Sequence, residues 1–275
     1  MAEQATILDA VISPARHLEL VASEVVEQAA TLVRSSLGSA TAARTKSSPT
    51  DVVTHTDLAS ERLIRNELRI RCPGSNIVGE EYDDQKGENS IGWIVDPIDG
   101  TVNFLYDLPV VSVSIAATIE GQVVAGAVAD LVRGDVFTAS IGEGSRLNGE
   151  TVVVDGSRSL EQSLVGTGFS YDGSIRATEA DILTRLLPAC RDIRCMGSAA
   201  LNLCWVGCGR LDAFYERDIK IYDYAAGALI AAEAGARVEL PAANHEDLTV
   251  AAVSTVFDQL RAIVTVASER RSQHP

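Results

Sequence analysis

Two carboxylates, Asp96 and Asp99, sit three positions apart in the stretch Ile91-Gly-Trp-Ile-Val-Asp96-Pro-Ile-Asp99-Gly-Thr101-Val-Asn-Phe104. Ile91, Trp93, Ile94 and Val95 read as a short buried strand, and the apolar pattern stops at Asp96. Pro97 halts the strand and biases Asp96 toward extended backbone, while Gly100 permits a sharp reversal. Two acids on such a turn converge just beyond a strand end, which is costly unless positive charge lies between them. No Lys or Arg falls within residues 91–104, so a divalent cation is the natural candidate. The competing reading is a solvated turn, for which Asp-Pro-x-Asp-Gly is good chemistry. Thr101, Asn103 and Phe104 tilt the balance, since an ordinary turn has no need of a hydroxyl directly after an acidic pair.

Three more acids occupy suggestive places. Glu80 follows Gly79 at the end of a short apolar strand, where a solvated turn residue is the plain alternative. Asp57 lies at a helix start, where the macrodipole stabilises an anion; capping explains it equally well. Asp223 opens the small-residue helix Asp-Tyr-Ala-Ala-Gly-Ala-Leu, whose composition implies burial against other backbone, and capping is again the rival. None is specific singly; with Asp96 and Asp99 they form a set. The four histidines (His17, His55, His245, His274) are scattered, so zinc is poorly supported and an acid cluster suits Mg²⁺ first. Neither a phosphate-binding Gly-x-x-x-x-Gly-Lys loop nor a Gly-x-Ser-x-Gly elbow is present. Gly166-Thr-Gly168 and Gly142-Glu-Gly144 are too short for a dinucleotide fingerprint.

The elements that must position these residues follow from periodicity. Residues 6–37 are helical in pattern, with Pro14 starting a second helix or a kink. Residues 38–49 read as a loop, Thr54 to Asp57 as a capping box, and 57–71 as a helix. Ile77 and Val78 form a short strand, and 83–89 a polar loop. Strands at 109–119, 122–131, 135–140 and 151–154, with a Gly-rich loop at 142–149, give an antiparallel meander. Further on, strands at 164–169, 192–196, 211–215, 236–240 and 248–253 alternate with helices at 176–189, 199–208, 223–234 and 255–270. The chain reads as one domain over residues 1–275, with subregions of about 1–155 and 156–275.

Of 275 residues, 46% are hydrophobic and 5% aromatic, which fits a globular α/β protein. The net charge of −15, from 38 acidic and 23 basic residues, argues against nucleic-acid and anionic-membrane surfaces. It leaves room for a phosphorylated substrate, because bound metal inverts the local field. Cys72, Cys190, Cys195, Cys204 and Cys208 lack framework spacing and suggest reduced thiols and a cytoplasmic home. Cys204 and Cys208 share a helical face but read as core residues. Glu3 and Asp9, without a basic run, argue against a signal peptide.

The stretch Asp96–Thr101, preceded by Glu80-Glu81, resembles the signature of the inositol monophosphatase family of metal-dependent phosphatases. Lys46-Ser-Ser-Pro-Thr-Asp51, Thr54–Asp57, Gly79–Glu81, Gly197-Ser198-Ala199-Ala200, Glu216 and Asp223-Tyr-Ala-Ala-Gly227 follow in the family's order, from about residue 46 to 236. The resemblance implies an α/β, layered αβαβα sugar-phosphatase fold with mixed and antiparallel sheets. It implies that Glu80, Asp96 and the Ile98 carbonyl hold one Mg²⁺, and that Asp96, Asp99 and Asp223 hold a second. A third, weaker ion is implied near Glu80. Asp57 and Thr101 would orient and deprotonate the attacking water, with the N–H groups of Gly100 and Thr101 on the phosphate. Glu216, Asp99 and the N–H groups of Ser198 and Ala199 would meet the substrate's hydroxyls.

The expected reaction is therefore Mg²⁺-dependent hydrolysis of a phosphomonoester, inositol-1-phosphate foremost, by direct attack of water and without a phosphoenzyme. The same site could serve histidinol phosphate or fructose-1,6-bisphosphate, and a regulatory scaffold retaining the fold is the rival of another class. The family also implies a homodimer and inhibition by lithium. Departures fall on the alcohol side. Tyr222 stands where Trp is common, Ser198 where Thr is frequent, and Arg217 and Lys220 bring positive charge near Glu216 or simply decorate a solvated loop.

Overall fold

Asn76–Gly79 is the first strand to lie beside the acidic stretch, and it runs parallel to it, so both strands point their carboxyl ends at one place. The computed structural model describes residues 12–45, 52–241 and 248–269. In chain order the first half holds α1 (Pro14–Arg34), β1 (Ala42–Thr45), β2 (Val52–Thr54), α2 (His55–Arg71), β3 (Asn76–Gly79), β4 (Ile91–Asp99) and α3 (Thr101–Leu105). A meander follows, of β5 (Ser112–Ile119), β6 (Gln122–Asp130), β7 (Val136–Ser140), β8 (Ser145–Leu147) and β9 (Glu150–Val152). The second half holds β10 (Leu164–Thr167), α4 (Gly173–Leu186), β11 (Asp192–Cys195), α5 (Ala199–Gly207) and β12 (Ala213–Arg217). It ends with α6 (Ile221–Glu233), β13 (Arg237–Glu239), β14 (Leu248–Ala252) and α7 (Ser254–Glu269).

Five layers result. The larger sheet has the order β3-β4-β5-β6-β7-β8-β9 and is antiparallel except at β3 and β4. One face of it packs on α1 and α2, joining Val25, Val26, Ala29 and Val33 to Trp93, Val95, Val113 and Ile115. Its other face, through Ile94, Ala116 and Val128, packs on α5 and α6. Those two helices also cover Phe214 and Ala251 of the smaller sheet, whose order is β11-β10-β12-β14-β13. The residues between them, Ala213 and Tyr215, face α4 and α7, as the two-residue period of a strand requires. This is the expected αβαβα arrangement. Small residues make the central layer thin: a Cβ on Gly126 would stand 3.0 Å from the Ala226 Cα, and one on Gly227 2.9 Å from the Ala200 carbonyl.

Local chemistry sets the boundaries. Ser13 caps α1, accepting from Arg16 N at 3.1 Å, and Pro14 takes the first turn, where its missing donor costs nothing. Helical pattern expected before residue 12 lies outside the described residues, as do Lys46–Asp51. Two loops expected from composition contain strands: β1 pairs with β2, and β8 sits inside the Gly-rich 142–149 segment as the middle of a tight meander. The largest departure is β4. It does not halt at Pro97 but continues to Asp99, with Asp96 opposite Ser114 and Asp99 opposite Ser112. Three steps on β4 thus match two on β5, and the bulge takes up the residue that cannot donate to the ladder. Among the described residues no helix is long and apolar enough to cross a membrane.

Candidate active site

The bulge fixes the acid turn. Asp96 is buried, and its Oδ1 accepts from Ile98 N at 3.1 Å, which folds the chain back on itself. Ser60 of α2 donates to the Pro97 carbonyl at 3.0 Å from below. Gly100 has φ +95°, and a Cβ there would stand 2.9 Å from the Val110 carbonyl and 3.0 Å from that of Gly197. Glycine is needed here for both conformation and space. Asn103 staples the turn in place: its Nδ2 donates to Val110 O at 2.8 Å and to Met196 O at 2.7 Å. The 91–104 stretch is thereby tied to the 196–198 turn that opens α5.

Asp57 caps its helix with one oxygen and meets Thr101 with the other. It is fully buried at the third position of α2, where Oδ2 accepts from Thr54 N at 2.9 Å and from the Thr54 hydroxyl, closing the capping box. The other oxygen, Oδ1, accepts from Thr101 Oγ1 at 3.0 Å. The Thr101 hydroxyl stands equally 3.0 Å from the Ile98 carbonyl, so its one proton is shared between the two acceptors. Burial, the largest influence, pushes the Asp57 carboxyl up, against the pull of its Thr54 and Thr101 hydrogen bonds.

Glu80 is presented by the β3 end, and a buried ion pair shapes that end. Arg65 Nε donates to Glu61 Oε1 at 2.7 Å, while Glu61 Oε2 accepts from Glu81 N at 2.7 Å. Arg65 also reaches the Tyr82 carbonyl at 3.1 Å. A Cβ on Gly79 would fall 2.0 Å from Glu61 Oε1, so this glycine makes room for the pair. Glu61 and Arg65, four apart on a helix, carry no sequence signal beyond an ordinary surface pair.

Asp223 is the third residue of α6 and accepts from Lys220 N at 2.5 Å through Oδ2. It therefore caps its helix while facing the other acids. Burial raises the Asp96 carboxyl well above its ordinary value, and Glu80, Asp99 and Asp223 raise it further by repulsion. Asp99 is pushed up to about 6, chiefly by burial, against hydrogen bonds from Ser198, Ala200, Ala199 and Ser112. The Tyr222 phenol beside this group is raised by burial and then by Glu80 and Asp223. No three of these acids close into a tight grip among the described residues. What the structure supplies is a converging donor set of four carboxylates, Glu80, Asp96, Asp99 and Asp223, that repel one another at the buried Asp96. All-oxygen donors of that kind fit a hard divalent cation.

Across the cleft, Asp99 is bound to the α5 turn. Its Oδ2 accepts from Ser198 Oγ at 2.6 Å, Ala200 N at 2.8 Å and Ser112 Oγ at 3.3 Å. Ser198 also caps α5 by accepting from Leu201 N at 3.2 Å. Its hydroxyl is thus spent on Asp99 and the helix. Glu216 lies within β12 rather than after it, because the strand runs two residues beyond its apolar core. Burial, then repulsion from Asp223, Asp99 and Glu179, holds its carboxyl well above the ordinary range. Arg217 and Lys220 do not offset this: Arg217 Nη2 donates to Val264 O at 3.1 Å, and Lys220 pairs with Asp218 at 2.9 Å.

The structure therefore brings Asp57, Glu80, Asp96, Asp99, Thr101, Ser198, Ala199, Glu216 and Asp223 into one neighbourhood, joined by hydrogen bonds and mutual electrostatics. Sequence reasoning missed Ser60, Glu61, Arg65, Ser112 and Ala200, which position them. Of these, Ala200 alone had a legible signal, as the last residue of the Gly197-Ser198-Ala199-Ala200 stretch. The inositol monophosphatase family model matches residues 13–272. The chain is 43% identical over 272 residues to the inositol-1-monophosphatase of Mycobacterium leprae, covering 90% of this chain and 92% of that protein. The solved structure of Mycobacterium tuberculosis SuhB is 40% identical with a TM-score of 0.78, covering 91% of this chain and 96% of that one. A protein of Pasteurella multocida named Nus factor SuhB is 40% identical over 196 residues, 70% of this chain and 73% of its own length. With the layered fold, the acid turn and these relatives in agreement, the chain belongs to the inositol monophosphatase family and is a phosphomonoesterase.

Proposed function

We propose that the enzyme hydrolyses the phosphomonoester of a neutral polyol, inositol-1-phosphate foremost, with two or three Mg²⁺ ions held by its acid cluster. The observation that carries this reading is the convergence of Glu80, Asp99 and Asp223 on the buried carboxyl of Asp96, an all-oxygen donor set. Glu80, Asp96 and the Ile98 carbonyl would hold one ion, and Asp96, Asp99 and Asp223 another; a third belongs near Glu80. Bound there, Mg²⁺ supplies charge neutralisation for the phosphoryl oxygens and the leaving alkoxide.

The chain's own residues handle water and substrate. Thr101 and Asp57 form the proton path: the Thr101 hydroxyl accepts a proton from the attacking water as it passes its own to Asp57 Oδ1, 3.0 Å away. The new bond forms between water oxygen and phosphorus, and the phosphorus–alcohol bond breaks in line, its electron pair staying on the alcohol oxygen, which takes a proton from solvent; no enzyme nucleophile takes part. Backbone N–H groups of Gly100 and Thr101 take the phosphate. Glu216, Asp99 and the N–H groups of Ser198 and Ala199 take the alcohol. Arg217 and Lys220 are engaged elsewhere, and a second phosphate beside the Glu216 and Asp99 carboxylates would be repelled, which disfavours bisphosphates. A cationic alcohol such as histidinol phosphate remains the sharpest competitor.

Phosphate release from inositol-1-phosphate, histidinol phosphate and fructose-1,6-bisphosphate, each with Mg²⁺ and with EDTA, tests the proposal. Mg²⁺-dependent release from the first is expected, and release unaffected by EDTA sinks it. Inhibition by lithium, a homodimer by light scattering and a cytoplasmic location are proposed with it. The relative named Nus factor SuhB supports a second reading, a binding role carried beside catalysis. Full complementation of a deletion strain by the Asp99→Asn chain would put that role first.

A further inference from the structure

Glu216 and Gly168 are neighbours: Thr167 pairs with Tyr215 across parallel strands, and Gly168 and Glu216 are the next residues along the chain. A Cβ at position 168 would fall 2.0 Å from Glu216 Oε1 and 2.4 Å from Oε2. Gly168 is not among the glycines with positive φ, so an alanine is conformationally acceptable there. The three atoms nearest that Cβ all belong to the Glu216 carboxylate. Two positions earlier the same face carries Gly166, whose space is taken by Leu211 and Asn202 instead, an ordinary packing reason.

The loop that carries Gly168 is held firmly. Ser170 Oγ donates to Asp218 Oδ2 at 2.9 Å, Ser170 N donates to Glu179 Oε1 at 3.1 Å, and Arg176 Nε donates to Ser170 O at 2.6 Å. Asp218 adopts φ +60°, a left-handed conformation that a non-glycine keeps only where its surroundings fix it. The Ser170–Asp218 bond thus joins the loop after β10 to the loop after β12, on either side of Glu216.

We propose that Gly168 is a positioning residue for substrate selection: it is the floor on which the Glu216 carboxylate rests, and the Ser170–Asp218 bond holds floor and carboxylate in register. The acceptor oxygens are thereby aimed at the hydroxyls of the polyol. This rests on the reading of Glu216 as an acceptor for the alcohol. Filling the floor with one methyl group lifts the carboxylate off its aim without removing it.

The experiment compares Gly168→Ala, Glu216→Ala and the double variant. The readout is the ratio of kcat/KM on inositol-1-phosphate to that on 4-nitrophenyl phosphate, whose leaving group offers no further hydroxyls. Gly168→Ala is expected to lower this ratio roughly tenfold or more, the size of one hydrogen bond to a charged group, and to lower it no further in the Glu216→Ala background. If Glu216→Ala lowers the ratio and Gly168→Ala does not, the inference fails alone. If Glu216→Ala leaves the ratio intact, the reading beneath it fails. Equal losses on both phosphates, or additive losses in the double variant, would make Gly168 a packing residue and overturn the proposal. Should Gly168→Ala not fold, Ser170→Ala is read by the same ratio, and an unchanged ratio overturns the register role.

Discussion

Replacing Asp57 by Asn separates its two duties. The side chain keeps its shape but has one acceptor where the carboxylate had two. The cap needs an acceptor for Thr54 N at 2.9 Å, so the amide oxygen must face Thr54 and the amide nitrogen Thr101. The Thr101 hydroxyl then donates wholly to Ile98 O, also 3.0 Å away, and its path to a base is gone. Stability should fall by only about 1 kcal/mol, because the cap survives while a buried charge is removed. For a chain of this size that is roughly 2–4 °C in melting temperature. Turnover should fall about 10²–10⁴-fold, the usual contribution of a positioned general base. Burial places the Asp57 carboxyl above its ordinary range, so wild-type kcat/KM should rise with pH as Asp57 ionises, and the variant should lose that limb. Steady-state kinetics across pH, beside calorimetry, gives both numbers. A variant retaining more than a tenth of wild-type kcat, with the melting shift as stated, would refute the relay.

The acid cluster links stability to metal and pH. Asp96 and Asp99 have folded values raised above their unfolded ones, so without metal their contribution is present at low pH and is lost as pH rises through about 6 for Asp99. Mg²⁺ binds the ionised forms, so the melting-temperature gain on adding MgCl₂ to EDTA-treated protein should be larger at pH 7.5 than at pH 5; equal gains would contradict this. Asp99→Asn should abolish turnover and most of the Mg²⁺-induced gain in melting temperature, and a full gain in that variant would remove Asp99 from the ligand set. Gly100→Ala forces a side chain into a left-handed backbone between two carbonyls 2.9 and 3.0 Å away, costing about 1–3 kcal/mol. Urea titration showing no change there would mean that the turn yields.

The layered fold was legible because periodicity changes sharply along this chain. Alternating runs after residue 109 gave the meander, and helices interleaved with strands after 160 gave the mixed sheet. Its boundaries were less so. Pro97 reads locally as a strand end, yet β3 pairs no further than Val95, so the ladder beyond has an open side that tolerates a residue without a donor. At Asp57 capping does not exclude a second role, since a carboxylate has two oxygens and the cap leaves Oδ1 to Thr101. The support residues stayed hidden for a different reason. Glu61 and Arg65 look like a solvated helical pair, and only the tertiary approach of Gly79 buries them. Arg217 and Lys220 look like substrate contacts by proximity in sequence, but a strand and a turn send them to other partners.

The Asn103 staple has a temporal consequence. Its near partner, Val110, lies 7 residues away, but its far partner, Met196, lies 93 residues on. At 5–20 residues per second of synthesis, roughly 5–20 s separate the two on the ribosome. During that interval the amide has only one of its two anchors, and the acid turn has not yet met the α5 segment that pins Asp99. A nascent or truncated chain ending before residue 196 lacks the Met196 carbonyl, the Ser198 hydroxyl and the Ala200 N–H that hold the acid turn. On the proposed metal reading, ion capture is thus a late event, and it reports that both halves have joined.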